Sequence, residues 1–284
     1  YEALQSLKRE FFATLDPWNV TIRNCQISAQ SMEWVGPRLH FDNLMETDPV
    51  FLDYLANPRI VGMAEEIIGG QVRIEESQAI INSRPKEGAH DGPPRHQWHH
   101  LRPGFSTFTD NGLFHCNMVK ALTNLTDLGP DDGGTAVIAG SHKVTAAEED
   151  MVAAAREDPS LVHHVVAPAG STLLFAETLL HSSGEIRSDR ERVVIIGGYV
   201  ARMMAAGVRL PTPEFVEGLP DALKDLVAGS QRALRIRRRS LGTPVGAGDT
   251  TEYYDGWSMD STDPEKIENL EVASLTKSHK LTSP

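Results

Sequence analysis

The sequence is short of cysteine, of positive charge and of long apolar runs, and each shortage excludes something. Cys25 and Cys116 are the only thiols, too few for a disulfide framework or a thiolate zinc site, so the cytoplasm is the expected setting. The longest apolar runs, such as Val193 to Ile196 followed by Gly197 and Gly198, fall well short of the roughly 18 residues of a membrane helix, and no span is expected. The opening Tyr1-Glu2-Ala3-Leu4-Gln5-Ser6 has no basic region ahead of an apolar core, so no signal peptide is read there. With 27 Lys and Arg against 39 Asp and Glu, the net charge is −12. That balance argues against nucleic acid as a partner, because phosphate-backbone binding takes a basic surface that releases counterions.

What is present is ordinary globular composition, 40% hydrophobic and 23% charged over 284 residues, with enough apolar material for a packed core. Histidine is concentrated: of eleven, six (His90, His96, His99, His100, His115 and His142) fall between residues 90 and 142. That stretch is where chemistry is expected.

Leu4, Leu7, Phe11 or Phe12 and Leu15 recur at helical spacing before Pro17 and predict an opening helix that packs. Asp48-Pro49 reads as an N-cap with proline at the first helical position; a second helix from Pro58 should end at Gly69-Gly70. From Val72 the texture becomes β-like. Strands are predicted over 72–83, 112–125, 135–139, 161–166, 172–176 and 192–200, with turns at Asp110-Asn111-Gly112 and Gly129-Pro130-Asp131-Asp132-Gly133-Gly134. Short strands with such turns favour an antiparallel sandwich or barrel. A helical insert is read over Thr145 to Glu157, capped by Thr145. The reading is of a single domain over 1–284: a β core at about 72–200, a helical N-terminal scaffold at 1–71 and a helical C-terminal appendage at 201–284.

The apolar segment Thr172 to Ser183 ends in His181 with Ser182 and Ser183 behind it, and Arg192 opens the strand eleven residues later. A strand end is a rigid mount at a pocket mouth, where an imidazole can hold a metal and a guanidinium a carboxylate. Taken alone, a satisfied buried histidine and a surface arginine explain the same residues.

The segment Leu125-Thr126-Asp127 through Gly133-Gly134 to Ala139-Gly140-Ser141-His142-Lys143 resembles the signature of the phytanoyl-CoA dioxygenase family, with Ala139 where those enzymes usually have proline. Phe175, His181, Ser183 and Arg192 match the later part of the same pattern. The resemblance implies a double-stranded β-helix, a cupin-like jelly roll that is mainly β with flanking helices. It also implies an Fe(II)/2-oxoglutarate-dependent dioxygenase that oxidises an unactivated C–H bond of a small-molecule metabolite by hydroxylation, desaturation or oxidative cyclisation, with 2-oxoglutarate converted to succinate and CO2. By that correspondence His181 is the distal iron ligand, Arg192 binds the cosubstrate's far carboxylate, Ser183 assists, and His142 is structural.

The proximal ligand departs from the pattern. Trp98-His99-His100-Leu101 stands where the family has Trp-His-x-Asp, and leucine cannot bind iron. His99, His90 (in Ala89-His90-Asp91-Gly92) and His96 therefore remain alternatives. Asp91 could supply the carboxylate only from a loop, since strand neighbours point to opposite faces. Glu177 shares the parity of His181 but lies too far along an extended strand to join it on one ion, so it is assigned to substrate binding. A site without a carboxylate would resemble the halogenase branch, and a jelly-roll binding protein without redox chemistry is the other alternative. Arg232, Arg235, Arg238 and Arg239 line one helical face, read first as a solvated face or an intramolecular partner for the acidic surface; as a clamp they would suit a carboxylate-bearing substrate.

Overall fold

The computed structural model describes residues 1–13, 19–22, 25–32, 36–84, 96–100, 108–110, 113–204 and 211–229. The chain divides into two units, Tyr1–Ile236 and Arg237–Pro284. The second, and with it the arginine strip from Arg237 on, lies outside the described residues, as do His90, Asp91, Leu101, Arg232 and Arg235.

In the first unit the strands are β1 (Asn19–Ile22), β2 (Cys25–Met32), β3 (Gly36–Asp42), β4 (Val72–Asn82), β5 (Phe108–Asp110) and β6 (Leu113–His115). They continue with β7 (Met118–Asn124), β8 (Ala136–Ile138), β9 (Val162–His164), β10 (Thr172–Ala176), β11 (His181–Ser182) and β12 (Arg192–Ala201). A seven-stranded sheet runs β1-β2-β3-β4-β12-β7-β10, a second runs β11-β8-β9, and β5 pairs with β6; every pairing is antiparallel. This is the jelly roll that the sequence implied. Asp110 pairs with Leu113; Asn111 and Gly112 of the expected turn lie outside the described residues.

β12 sits between β4 and β7 and is buried on both faces, which is why it reads as an unbroken apolar run. Val193 and Ile195 join Leu39, Phe41, Ala79 and Ile81 in a core that Leu4 and Leu7 of α1 (Glu2–Ala13) close from outside. On the opposite face Val194 and Ile196 pack with Ile80, Leu122, Phe175 and Leu179. Asp48 accepts from the Val50 N–H at the start of α2 (Pro49–Leu55), and α3 (Pro58–Ile68) ends on Gly69 at φ 82°, where glycine carries no left-handed penalty. No described helix is long and apolar enough to cross a membrane.

Three expectations are corrected. The segment 1–71 is not wholly helical, because β1, β2 and β3 extend the large sheet beyond β4. In β3 the alternation Arg38, Leu39, His40, Phe41 puts the apolar pair in the core, and the polar pair on the other face disguised the strand. Thr172 to Ser183 is not one strand: β10 stops at Ala176, where the Leu179 N–H bonds back to the Ala176 carbonyl at 2.8 Å, and β11 belongs to the second sheet. The parity argument relating Glu177 to His181 therefore does not apply. The helical insert, α4 (Glu148–Glu157), begins at Glu148 with Ala147 rather than Thr145 as its N-cap.

Candidate active site

Between the two sheets lies a cavity of about 560 Å³. Its walls carry Arg38 and His40 from β3, Gln78 and Ile80 from β4, Lys120 and Leu122 from β7, and Arg192, Val194 and Ile196 from β12. The facing side supplies Gln97, Trp98, His99, Thr135, His181, Ser182 and Ser183.

His99 and His181 are brought side by side. A two-residue antiparallel bridge joins them, with the His99 N–H donating to the His181 carbonyl at 3.0 Å and the reverse bond at 3.1 Å. Their ring centroids are 4.2 Å apart. In each, Nδ1 faces a main-chain carbonyl two residues back: Gln97 at 3.0 Å for His99, Leu179 at 2.8 Å for His181. A carbonyl only accepts, so Nδ1 carries the hydrogen and the Nε2 lone pair is left to bind a metal. Burial, then the neighbouring His99, pulls the His181 pKa down to about 3, and burial lowers that of His99, so both rings are neutral at physiological pH.

The sequence motif around Ser141 holds this arrangement. The Ser141 hydroxyl accepts from the buried Leu180 N–H at 2.9 Å, and the Ile138 N–H bonds the Leu180 carbonyl at 2.9 Å, fixing the residue before His181. Gln97 is tied by its N–H to the Ser182 hydroxyl at 2.9 Å. The Gly-rich turn packs beneath: a Cβ on Gly134 would lie 2.0 Å from the Val165 carbonyl oxygen, and one on Gly184 2.5 Å from that of Gly134.

Arg192 is 2% exposed. Its Nη2 donates to the Thr135 hydroxyl at 2.9 Å, while Nε and Nη1 have no partner among the described residues. Burial, and then repulsion from Arg38, lowers its pKa to about 10, which still leaves it charged at neutral pH. An uncompensated buried charge costs about 3–5 kcal/mol, so this guanidinium is built to meet an anion entering the cavity. Ser183 lines the same cavity.

The other expected residues fall elsewhere. His96 packs against Trp98 and His164, with centroids at 4.7 and 5.1 Å, and burial drops its pKa to about 4. His100 pairs with Glu148 at 3.3 Å, and His142 stacks edge-on against Phe114. Glu177 is 2% exposed and sits behind Lys120, whose ammonium lies 3.1 Å from both Glu177 and Glu76. It is Lys120 that reaches the cavity lining. Burial raises the Glu177 pKa to about 7.

Among the described residues no set of three His, Cys, Asp or Glu gathers into a metal site. The histidine pair presents two neighbouring imidazoles of the kind such a site uses. Arg38, His40, Gln78 and Lys120 had escaped the sequence reading. The alternation in β3 was the signal that could have found the first two.

The family profile described as Phytanoyl-CoA dioxygenase (PhyH) matches residues 33–194. A relative named dioxygenase af480, from Aspergillus fumigatus, is 28% identical over 190 residues, 65% of this chain and 57% of that protein. L-proline trans-4-hydroxylase of Streptomyces griseoviridis is 26% identical over 187 residues, 54% of this chain and 65% of that protein. The chain thus spans under two thirds of the length of either. Among solved structures, HygX from Streptomyces hygroscopicus with nickel and 2-oxoglutarate bound has the same fold. Its TM-score is 0.52 at 18% identity, covering 75% of this chain and 84% of that one.

Proposed function

The chain belongs to the phytanoyl-CoA dioxygenase family, and from that premise we propose that it is an Fe(II)- and 2-oxoglutarate-dependent oxygenase acting on an unactivated C–H bond of a small-molecule metabolite. The observation that carries the reading is the conjunction of two neutral imidazoles, each with Nε2 left open, and a buried guanidinium lacking an anion, all on one cavity. Two nitrogens and an oxyanion receptor are the parts that a chelating oxo-acid on a histidine-held metal requires.

In this reading His99 and His181 would hold the iron through Nε2. His90 and Asp91 keep their candidacy for completing the shell from the segment beyond the described residues. Bound iron with 2-oxoglutarate supplies dioxygen activation coupled to conversion of the oxo-acid into succinate and CO2. Everything else falls to the chain itself. Arg192, braced by Thr135, takes the far carboxylate of 2-oxoglutarate and so fixes its orientation, with Ser183 assisting from the same cavity. Ile80, Leu122, Val194 and Ile196 form an apolar patch on the wall that also carries Arg192 and Lys120, which limits water beside them. Glu177 acts on the substrate side through Lys120, which it holds in place. A cytoplasmic setting is consistent with the scarcity of cysteine.

Succinate formed from 2-oxoglutarate by the purified chain, with and without Fe(II) and under air or argon, tests the proposal. Succinate that requires both metal and dioxygen is expected even without the true substrate, at a low uncoupled rate. Protein that binds iron and 2-oxoglutarate yet forms no succinate with any metabolite tried would contradict it.

A further inference from the structure

Arg38, Asn82 and Arg192 lie in one row across three adjacent strands, Arg38 paired with Asn82 and Asn82 with Arg192. With neighbouring strands about 4.8 Å apart, the two arginines stand roughly 10 Å from each other at the backbone. Both line the same cavity, which has no Asp or Glu among its described lining residues. Neither forms an ion pair with a described residue. Buried polar atoms without a partner among the described residues gather along the row: Nε of Arg38 and Nε and Nη1 of Arg192 on the cavity, with both amide atoms of Asn82 between them. Asn82 is 0% and Arg192 2% exposed. Such a concentration is costly in the empty protein and points to a ligand rich in oxygen.

The reaction proposed above uses only one of these cations. A 2-oxoglutarate dianion that chelates a metal through its C1 carboxylate and 2-oxo group has one carboxylate left. Arg192 is the deeper of the two and is braced by Thr135, so it takes that carboxylate. Lys120 is already neutralised by Glu76 and Glu177. Arg38 is left over, half-buried on β3 with His40 beside it on the same wall.

We propose that Arg38 anchors a carboxylate of the substrate, so that the metabolite oxidised at this site is a small carboxylic acid. The inference rests on the oxygenase reading, which assigns Arg192 to 2-oxoglutarate. A guanidinium held on a sheet strand fixes one end of the substrate, and the carbon presented to the histidine pair is then set by the length of the acid. The proline hydroxylase relative is named for an amino acid, which fits the class without identifying the compound.

The test uses the whole chain loaded with Ni(II) and 2-oxoglutarate, with ¹³C-acetate as the probe followed by NMR titration. The wild-type protein should take up one further acetate saturably. R38Q should bind it at least about tenfold more weakly while holding 2-oxoglutarate within about threefold of wild type, as expected when one partner of a charge pair is removed. R38K, which keeps the charge but loses the planar fork, should fall between them. It also serves as the readout if R38Q does not fold. A loaded wild type with no saturable acetate site, or equal acetate affinity in R38Q, overturns the proposal. Loss of 2-oxoglutarate binding in R38Q to the extent seen in R192Q overturns it too, by assigning Arg38 to the cosubstrate. A wild type that binds no 2-oxoglutarate at all overturns the oxygenase reading, and this proposal with it.

Discussion

His99 and His181 are aimed by main-chain carbonyls, one bond each, so their geometry depends on the strands they stand on rather than on neighbouring side chains. Arg192 illustrates the opposite economy, a charge kept buried and incompletely paired. Replacing it with methionine should make the ligand-free protein more stable by about 1–4 kcal/mol, since an apolar side chain of similar reach removes the desolvated charge. At about 2–4 °C per kcal/mol for a unit of this size, a melting curve resolves the gain. The same variant should lose the stabilisation that 2-oxoglutarate gives the metal-loaded wild type. Glu177 makes a second prediction. Its carboxyl is raised to about 7 in the folded protein, mainly by burial, from an ordinary value of 4.5. The folded state therefore binds the extra proton between those values, and this group's contribution to stability is full below about pH 4.5 and is lost as pH rises through about 7. In E177Q the denaturation midpoint should vary less over that window than in wild type; an unchanged profile would show that Glu177 is not the group titrating.

At the scale of elements, the Gly-rich turn and the Ser141 turn are what hold β11 against the rest. Gly134→Ala would force a Cβ to within 2.0 Å of a backbone oxygen, a main-chain clash that should cost more than about 3 kcal/mol. Thermal unfolding should fall by about 6–12 °C. Gly69→Ala, at a positive φ with nothing within 4 Å, should cost only about 1 kcal/mol. Ser141→Ala leaves the buried Leu180 N–H without its acceptor, at about 1–3 kcal/mol, and should weaken metal binding as well, because Leu180 precedes His181. Elements with strong local signals were legible: the proline-started helices, β10 over Thr172–Ala176, and β12. β3 was not, because its cavity face carries Arg38 and His40, so it lacks the apolar content by which strands are recognised. The break between β10 and β11 was also hidden, since Glu177-Thr178-Leu179-Leu180 contains neither glycine nor proline and its turn is imposed by contacts with Ser141 and Ile138.

At the scale of the molecule, the family and the jelly roll were readable from motif order, and the motifs singled out His181 and Arg192, which line one cavity. His99 was ambiguous in sequence because three histidines competed. The long-range bridge from His99 to His181, across 82 positions, favours His99 over His96, and no local pattern encodes it; His90 lies outside the described residues. Lys120 was invisible for the same reason: it matters through strands that meet it only in the folded sheet. The paired histidines beside Arg192 are the centre of the account, and equilibrium binding of Ni(II) in the presence of 2-oxoglutarate tests them most directly. H99A and H181A should each lose metal affinity by more than the about 10–100-fold that loss of a supporting hydrogen bond costs, while R192Q keeps the metal and loses the oxo-acid. An H99A protein that binds Ni(II) as tightly as wild type would contradict the account.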